Sequence, residues 1–362
     1  MIDRLPSRTL RPPRPTTARR GATGLGVHQY VRRRDARVVT ERMFGDWIVN
    51  FLYARTREHA PTLFRALTSP RASRLLARLN FDWPLAARLV GQQRFLTSCG
   101  VNLTECADPP GTLDTPRKVF ERKIRYWECR PMSDDPRVVT APADARMLVG
   151  SFRARSPLFV KGKFFDFEEL IGRNKPAWLR AFHDGDWAIF RLTPDRYHYN
   201  HAPVSGAVVD LYEIPGRYYA CNPSAVVQVV TPYSKNKRVV TVIQTDVPGG
   251  SQVGLVAMIE VVALMIGAVV QCYSGHRYDD PQPVRPGLFL DRGMPKSRYR
   301  PGSSTDVLVF QRGRVRFAED LVANVSHVGA CSRFTAGFGT PLVETDVSVR
   351  SAIGRRTKEG QR

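Results

Sequence analysis

The sequence predicts an α+β fold, in which an N-terminal helical region precedes a β-rich core of mostly antiparallel strands. Two contrasting patterns lead to this prediction. Residues 40–100 carry apolar side chains at helical spacing, whereas the chain from about residue 136 onward consists of short β-branched runs punctuated by Gly and Pro. Hydrophobic residues make up 43% of the 362-residue chain, which is enough for a substantial core and excludes global disorder.

The first segment, residues 1–42, is rich in Arg and poor in acidic residues, and its early prolines break any helix. It lacks the apolar stretch of a secretory signal. We therefore predict a basic, disordered arm that is attracted to an anionic membrane surface. An organelle transit peptide is the alternative interpretation of the same composition.

The second segment, residues 43–115, is predicted to be helical and to associate with a membrane. Trp47 and Phe51 lie at helical spacing, and leucines repeat at that spacing between residues 75 and 89. The flanking Arg side chains favour helices that lie on a bilayer. A basic helical subdomain packed on the core is an equal alternative.

Residues 116–330 are predicted to form the β-rich core, and residues 331–362 a C-terminal extension. The runs predicted as strands are Val138-Val139, Met147 to Val149, Leu158 to Val160, Val208-Val209, Ala225 to Val230 and Val239 to Val242. One short helix, Phe167 to Gly172, interrupts them. The apolar segment 252–270 is nearly long enough for a transmembrane helix, but Glu260 at its centre and its Val content favour two buried strands.

The charge and the cysteines limit the classes of function. A net charge of +22 indicates an anionic partner, such as nucleic acid, acidic lipid headgroups or phosphorylated substrates. No two of the six cysteines have CxxC spacing, which argues against zinc fingers and iron–sulfur clusters. We interpret the cysteines as reduced in a cytosol-facing protein, and we predict no metal site.

Three clusters carry candidate chemistry. Asp144 follows a predicted strand, His198 and His201 lie in a Tyr-His-Tyr-Asn-His sequence, and Gly302-Ser303-Ser304-Thr305 precedes an apolar run. Taken singly, each cluster is a weak signal: an Asp after Pro-Ala and a Gly-Ser-Ser sequence are ordinary turns. The histidine pair has metal-ligand spacing but no accompanying third ligand.

In this order, the three clusters resemble those of the phosphatidylserine decarboxylase family. The resemblance spans roughly residues 117–317, and the Tyr-His-x-x-His-x-Pro element is its most specific part. The Lys-Gly sequence at 161–162, the short helix after it and the Lys-Asn-Lys-Arg stretch at 235–238 are further similarities.

The resemblance implies a proenzyme that cleaves itself. In that scheme Ser303 attacks the carbonyl of Gly302, and cleavage leaves a pyruvoyl group at position 303, which serves as the electron sink for decarboxylation. His201 matches the family's base and Asp144 the carboxylate that orients it. His198 matches a second histidine implicated in substrate binding or proton transfer.

The cleavage motif departs from the family pattern, because Phe310 lies one residue further from Gly302 than is usual. Counting back from Phe310 makes Ser304 the nucleophile, whereas counting from Gly302 makes it Ser303. We favour Ser303, because a glycine before the scissile bond allows close approach to the attacked carbonyl. A family member that fails to cleave itself is a further alternative.

The resemblance therefore implies a carboxy-lyase that converts phosphatidylserine to phosphatidylethanolamine and CO2. The expected partners are phosphatidylserine, an anionic membrane surface and the two cleavage fragments as a heterodimer; a homo-oligomer is left open. The expected location is the cytoplasmic face of the cell membrane, or an organelle inner membrane if the N-terminus is a transit peptide. One alternative is the same chemistry on a soluble amino acid or related amine-carboxylate. A non-catalytic nucleic-acid-binding protein would explain the charge but not the three clusters, so no nucleic acid partner is expected.

Overall fold

A computed structural model of the chain describes residues 26–43, 82, 91–153, 156, 163–263, 268–302 and 304–357. Within these ranges the helices are short and the strands pair mostly in antiparallel fashion, so the α+β prediction is confirmed. No helix in the described ranges combines the length and the apolar character needed to cross a membrane.

The strands account for most of the regular structure. They are β1 (Gln29–Arg32), β2 (Arg37–Thr40), β3 (Val138–Thr140), β4 (Ala145–Ser151), β5 (Asp186–Leu192), β6 (Tyr199–His201), β7 (Gly206–Ile214), β8 (Arg238–Gln244), β9 (Leu255–Val262), β10 (Val269–Gln271), β11 (Phe289–Leu290), β12 (Pro295–Tyr299), β13 (Ser304–Phe310), β14 (Val315–Phe317), β15 (Thr345–Val347) and β16 (Ala352–Arg356). The helices are α1 (Gln92–Ser98), α2 (Pro116–Phe120), α3 (Tyr126–Cys129), α4 (Phe167–Ile171), α5 (Pro176–Ala181), α6 (Pro223–Val226), α7 (Pro232–Lys235), α8 (Glu319–Val325) and α9 (Arg333–Phe338). One 3-10 turn spans Pro110–Thr112.

Three sheets organise the described part of the chain. The large sheet has the strand order β11-β7-β8-β9-β13-β5-β4-β15-β1-β2, and β1 with β15 is its parallel pair. Two smaller sheets have the orders β10-β12-β6 and β14-β16-β3. In the large sheet β13 pairs along its full length with β5 on one side and β9 on the other, and all of its residues are buried. The apolar half of this strand, Val307 to Phe310, therefore lies in the hydrophobic core.

Most of the predicted strands are confirmed. The valine runs at 138–139, 208–209 and 239–242 lie in β3, β7 and β8, and Met147 to Val149 lie in β4. The predicted short helix is also confirmed, as α4. The Asp166 side chain caps its first turn by accepting the Glu169 N–H at 2.8 Å. The predicted strand at 158–160 lies outside the described residues.

The strand predicted over Ala225 to Val230 is wrong. The structure has helix α6 there, followed by a turn. The Asn222 side chain accepts the Ser224 N–H at 2.8 Å, and Pro223 occupies the first helical position. These local start signals outweigh the β propensity of the valines that come after them.

The apolar segment 252–270 holds two strands, as predicted. β9 is almost completely buried, whereas β10 at the other end is half-buried. The two belong to different sheets, so the segment crosses from one layer of the fold to the other.

Parts of the predicted terminal segments belong to the large sheet. Residues 29–40, which the sequence assigned to a disordered arm, form the hairpin β1–β2 at one edge of the large sheet. The predicted C-terminal extension supplies β15, which lies between β4 and β1. Of the predicted membrane-associating region, the structure describes residue 82 and residues 91–115, which include α1, while Trp47, Phe51 and the leucines at 75–89 lie outside the described residues.

A buried charge cluster links residues 28 and 41, near the start of the described chain, and residue 344, near its end, to Arg191 in the large sheet. The Arg191 guanidinium binds Glu41 and Glu344, each at 2.6 Å, and His28 Nε2 lies 2.9 Å from Glu344. His28, Glu41 and Glu344 offer ligand atoms within 4.8 Å of one another, a spacing that suits a metal ion. Arg191 already supplies the positive charge among these groups, so the cluster is satisfied as an ion-pair network.

The contact between β4 and β5 predicts one strong effect on stability. Gly150 lies opposite Trp187, and a Cβ at this position would come within 2.0 Å of the indole. Because Trp187 is buried, we expect Gly150→Ala to lower the free energy of unfolding by about 1–3 kcal/mol or more through overpacking. Urea titration measures the change.

Gly111→Ala is the matched control, since its added Cβ meets nothing within 4 Å. An unfolding midpoint for Gly150→Ala equal to that of this control would contradict the predicted packing.

Candidate active site

Two buried histidines lie on the small sheet β10-β12-β6. β6 pairs with β12 in a register that places His201 opposite Pro295 and Tyr199 opposite Arg298. His198 immediately precedes β6, and its carbonyl accepts the Tyr299 N–H at 3.0 Å. Both imidazoles are almost completely buried. The three-residue spacing seen in the sequence thus places one histidine at each end of a short strand.

His201 is held by hydrogen bonds at both ring nitrogens. Nδ1 lies 2.8 Å from the Gly293 carbonyl and Nε2 lies 2.9 Å from the Tyr197 hydroxyl, which in turn lies 2.8 Å from the Tyr278 hydroxyl. A carbonyl can only accept, so Nδ1 carries the proton and Nε2 is the acceptor. Burial lowers the pKa of His201 to about 3, so the ring is neutral at neutral pH.

His198 presents a nitrogen without a hydrogen-bond partner. Its Nδ1 donates to the Arg196 carbonyl at 2.8 Å, and the Phe120 ring stacks on the imidazole with centroids 3.6 Å apart. Nε2 is buried and has no hydrogen-bond partner in the described part of the chain. Burial, together with the nearby charge of Arg122, lowers the pKa of His198 to about 3. The ring is therefore a neutral acceptor with a free lone pair.

Asp144 is buried in a neighbouring loop and pairs with an arginine. Arg130 donates to its two carboxylate oxygens at 3.0 and 2.7 Å, and the Val349 N–H donates at 2.8 Å. Burial alone would raise the pKa of Asp144, but the hydrogen bonds and charge of Arg130 hold it below its usual range. The Asp144 loop meets β6 where the His201 N–H donates to the Pro142 carbonyl at 2.7 Å.

The predicted Asp–His–Ser set is therefore brought together only in part. Among the described residues no hydrogen bond joins Asp144 to His201, although their two segments are in contact. Ser303 lies outside the described residues. Its neighbour Gly302 is buried with a φ of 146°, a conformation that favours glycine, and β13 begins at Ser304. The Ser304 hydroxyl is buried and has no hydrogen-bond partner in the described part of the chain.

A polar network that the sequence did not predict lies beneath this site. Glu260 of β9 binds Lys296 at 2.8 Å, Gln271 at 2.8 Å and Asn200 at 3.1 Å, and it also accepts from the Ser297 hydroxyl. These four partners come from all three strands of the small sheet. The one feature of the sequence that pointed to this network was Glu260, an acidic residue at the centre of the apolar segment 252–270.

Asp306 of β13 is a second buried carboxyl group, next to Glu260 of β9 in the large sheet. It lies opposite Glu260 in the β13–β9 register and accepts the Tyr299 O–H at 2.7 Å. Burial, and then the negative charge of Glu260, raises the pKa of Asp306 well above its ordinary value. Burial thus disfavours the charged form of Asp306, and the hydrogen bond from Tyr299 satisfies one of its oxygens inside the central strand.

Comparison with known proteins gives a consistent result. The sequence model of the phosphatidylserine decarboxylase family matches residues 117–336. Phosphatidylserine decarboxylase proenzyme 2 of rice is 32% identical over 228 residues, which is 62% of this chain and 34% of the rice protein. The chain thus spans about a third of the length of that relative.

Two bacterial relatives match over most of their length. A phosphatidylserine decarboxylase proenzyme of Chlamydia trachomatis is 28% identical over 90% of this chain and 97% of its own, and one of Fusobacterium nucleatum is 25% identical over 83% and 92%. The family match covers more than half of the chain and contains both histidines, Asp144 and the start of β13. The chain therefore belongs to the phosphatidylserine decarboxylase family.

Proposed function

We propose that this chain is the proenzyme of a pyruvoyl-dependent carboxy-lyase that converts phosphatidylserine to phosphatidylethanolamine and CO2. The observation that carries the proposal is the link from the buried His198 to the start of β13. The His198 carbonyl accepts from the Tyr299 N–H, the Tyr299 hydroxyl contacts the Thr305 carbonyl and Asp306, and the neighbouring Ser304 hydroxyl is buried without a hydrogen-bond partner in the described part of the chain. Its relatives in bacteria and rice bear the name of this activity and are called proenzymes.

For self-cleavage, His201 is proposed as the base and Asp144 as the carboxylate that stabilises its protonated form. The Gly293 carbonyl fixes the proton on Nδ1, which leaves Nε2 as the acceptor that a base requires. The Tyr197 hydroxyl occupies that acceptor in the structure. The proposal therefore requires Tyr197 to release Nε2 while cleavage proceeds.

A pyruvoyl group supplies an electron sink for the charge left when CO2 departs. The start of β13 suits its formation from a serine, since the Ser304 hydroxyl is buried and has no hydrogen-bond partner in the described part of the chain. His198 is proposed to bind substrate or to return a proton, through its free Nε2. Its stacking on Phe120 holds the ring in position.

The substrate is proposed to be an anionic lipid. A cavity of about 630 Å³ adjoins Tyr199, the neighbour of His198. Cations exceed carboxylates in its lining: the charged side chains are Arg117, Lys118, Lys123, Arg298, Asp108 and Glu121. This excess and the net charge of +22 favour a phosphate-bearing headgroup and peripheral attachment to an anionic membrane surface. We place that attachment on the cytoplasmic face of the cell membrane, with an organelle inner membrane as the alternative.

The two cleavage fragments are proposed to remain together as a heterodimer. Cleavage just before β13 leaves β13 to β16 on the smaller fragment, while β5 and β9 stay on the larger one. Because β13 pairs with both of these strands along its full length, the fragments share the centre of one sheet.

The first experiment measures the products of the purified full-length chain. We expect two fragments that co-purify, the smaller one blocked at its N-terminus by a group that reacts with hydrazines, and release of CO2 from vesicles containing phosphatidylserine. Release from free L-serine at an equal rate would replace the lipid by the soluble-substrate alternative. A single intact chain without decarboxylase activity would contradict the proposed function.

The second experiment separates the roles of the two histidines. We expect His201→Ala to slow fragment formation by about 10²–10⁴-fold, because removal of a general base has effects of this size. We expect His198→Ala to form fragments but to lose decarboxylation by a similar factor. His183→Ala is the matched control, since the His183 side chain is 74% exposed. Rapid fragment formation by His201→Ala would remove His201 from the role of base.

The third experiment uses the pH dependence of fragment formation. Because the pKa of His201 is about 3, its imidazole stays neutral down to mildly acidic pH, and the rate at pH 5 should lie within about twofold of that at pH 7.5. A base with an ordinary pKa near 6.5 would be about 97% protonated at pH 5, so the rate would fall about 30-fold. A fall of that size would contradict the proposed environment of His201.

The same measurement needs a check on folding. Both histidines bind protons more readily when the chain unfolds, so the free energy of unfolding decreases as the pH falls from about 6.5 towards 3. Circular dichroism at each pH confirms that the rates belong to folded protein.

A further inference from the structure

We infer that the hydroxyls of Tyr197 and Tyr278 form a proton relay that joins the buried imidazole of His201 to the cavity of about 630 Å³. This inference rests on the proposed function, because it takes His201 as the base of self-cleavage, and it adds two residues to that role. The relay gives a ring that is shielded from solvent a route by which it can gain or lose a proton.

Both nitrogens of the His201 ring are occupied. Nδ1 lies 2.8 Å from the Gly293 carbonyl, Nε2 lies 2.9 Å from the Tyr197 hydroxyl, and the residue is completely buried. A carbonyl oxygen accepts a hydrogen bond but has no proton to exchange, whereas a hydroxyl both donates and accepts. Among the described residues, Tyr197 is therefore the group through which a proton enters or leaves this ring.

The Tyr197 hydroxyl is the first member of a chain that leads towards the cavity. It lies 2.8 Å from the Tyr278 hydroxyl, which in turn lies 2.8 Å from the Ile124 carbonyl. Tyr197 is almost completely buried, whereas Tyr278 is half-buried and lines the cavity. Two hydroxyls thus connect the buried ring to a residue of the cavity wall.

The number of hydrogens shows that this chain can take up one more proton. Four contacts each need a hydrogen: Nδ1 with Gly293, Nε2 with Tyr197, Tyr197 with Tyr278, and Tyr278 with Ile124. A neutral imidazole and two tyrosine hydroxyls supply three hydrogens, so one contact lacks a hydrogen whichever tautomer the ring adopts. An imidazolium supplies the fourth hydrogen and satisfies every contact.

Charged side chains act on the chain without forming hydrogen bonds to it in the described part of the molecule. These groups are Lys123, Arg130, Asp144 and Arg350. Asp144 is paired with Arg130, and the Lys123 ammonium lies 5.3 Å from the centre of the Tyr278 ring. Three of the four groups are cations and oppose a positive charge on the ring. The hydroxyl chain is therefore the hydrogen-bonding partner that the fold provides for a protonated His201.

One passage along the relay moves one proton and changes no bond between heavy atoms. After His201 has taken up a proton, its Nε2–H passes to the Tyr197 oxygen. The Tyr197 proton passes to the Tyr278 oxygen, and Tyr278 releases its own proton to water in the cavity. The reverse passage returns a proton to the ring, so the base exchanges protons with solvent in either direction.

The test is the rate of fragment formation by the full-length chain and by phenylalanine variants, which keep each ring and remove its hydroxyl. We expect Tyr197→Phe to slow the reaction about 10- to 100-fold, because the imidazolium loses its hydrogen-bond acceptor. Tyr278→Phe should slow it about 2- to 10-fold, since it removes a hydrogen bond between neutral groups. Circular dichroism confirms that each variant is folded under the conditions of the assay.

Tyr199→Phe is the matched control. Its ring stacks on that of Tyr197 and it lines the same cavity, but its hydroxyl takes no part in the chain. We expect its rate to lie within about twofold of the wild type, in the range of a substitution that removes no hydrogen bond of the relay. A loss as large as that of Tyr197→Phe would overturn the relay, because it would show that any change in this tyrosine cluster slows the reaction.

The double variant Tyr197→Phe/Tyr278→Phe separates a relay from two independent packing effects. In a relay the second hydroxyl acts only through the first, so the double variant should react at the rate of Tyr197→Phe alone. Multiplication of the two single effects would overturn the relay. A rate of Tyr197→Phe equal to or above the wild type, while His201→Ala stays slow, would overturn it and leave the proposed function standing. An intact wild-type chain would overturn both.

Discussion

The buried carboxylate of Glu260 is the constraint on which the arrangement of the site depends. A charge at the centre of an apolar strand is tolerated only when it is paired and fully hydrogen-bonded, and Glu260 finds its partners on all three strands of the small sheet. Satisfying this one group fixes the small sheet against the large one. Asn200 of β6 and Lys296 and Ser297 of β12 thereby reach the strand next to β13. Burial, and then the negative charge of Glu260, raises the pKa of Asp306, which lies opposite Glu260.

The position of β13 connects the architecture to the chemistry. A strand paired on both sides is a rigid support for a reactive residue, and its first residue lies at the boundary between the core and the connection from β12. Its two faces meet different environments: one meets Tyr299 and Glu260, and the other meets the network around Arg191. That network draws on Glu41 near one end of the described chain and Glu344 near the other, so both ends help to hold the central strands in place.

Burial also governs the electrostatics of the site. Both imidazoles lose water and stay neutral, while Asp144 keeps its charge because Arg130 is close. The site thus combines neutral imidazole acceptors with one carboxylate that is paired to an arginine. The two histidines differ in their partners: the Tyr197 hydroxyl contacts His201 Nε2, whereas His198 Nε2 has no hydrogen-bond partner in the described part of the chain.

The sequence by itself determined the fold class, most of the strands and the family, because β-branched runs and the Tyr-His-x-x-His element are local patterns. It also identified Asp144, His198 and His201 as candidates. Tertiary structure decided what depends on pairing between distant segments: that residues 29–40 and 345–347 join the large sheet, and that Arg130 pairs with Asp144. Local capping by Asn222 reversed the predicted strand at 225–230. Only the strand register could show that Asp306 lies opposite Glu260 and Thr305 opposite Arg191, because a shift of one residue exchanges the two faces of a strand.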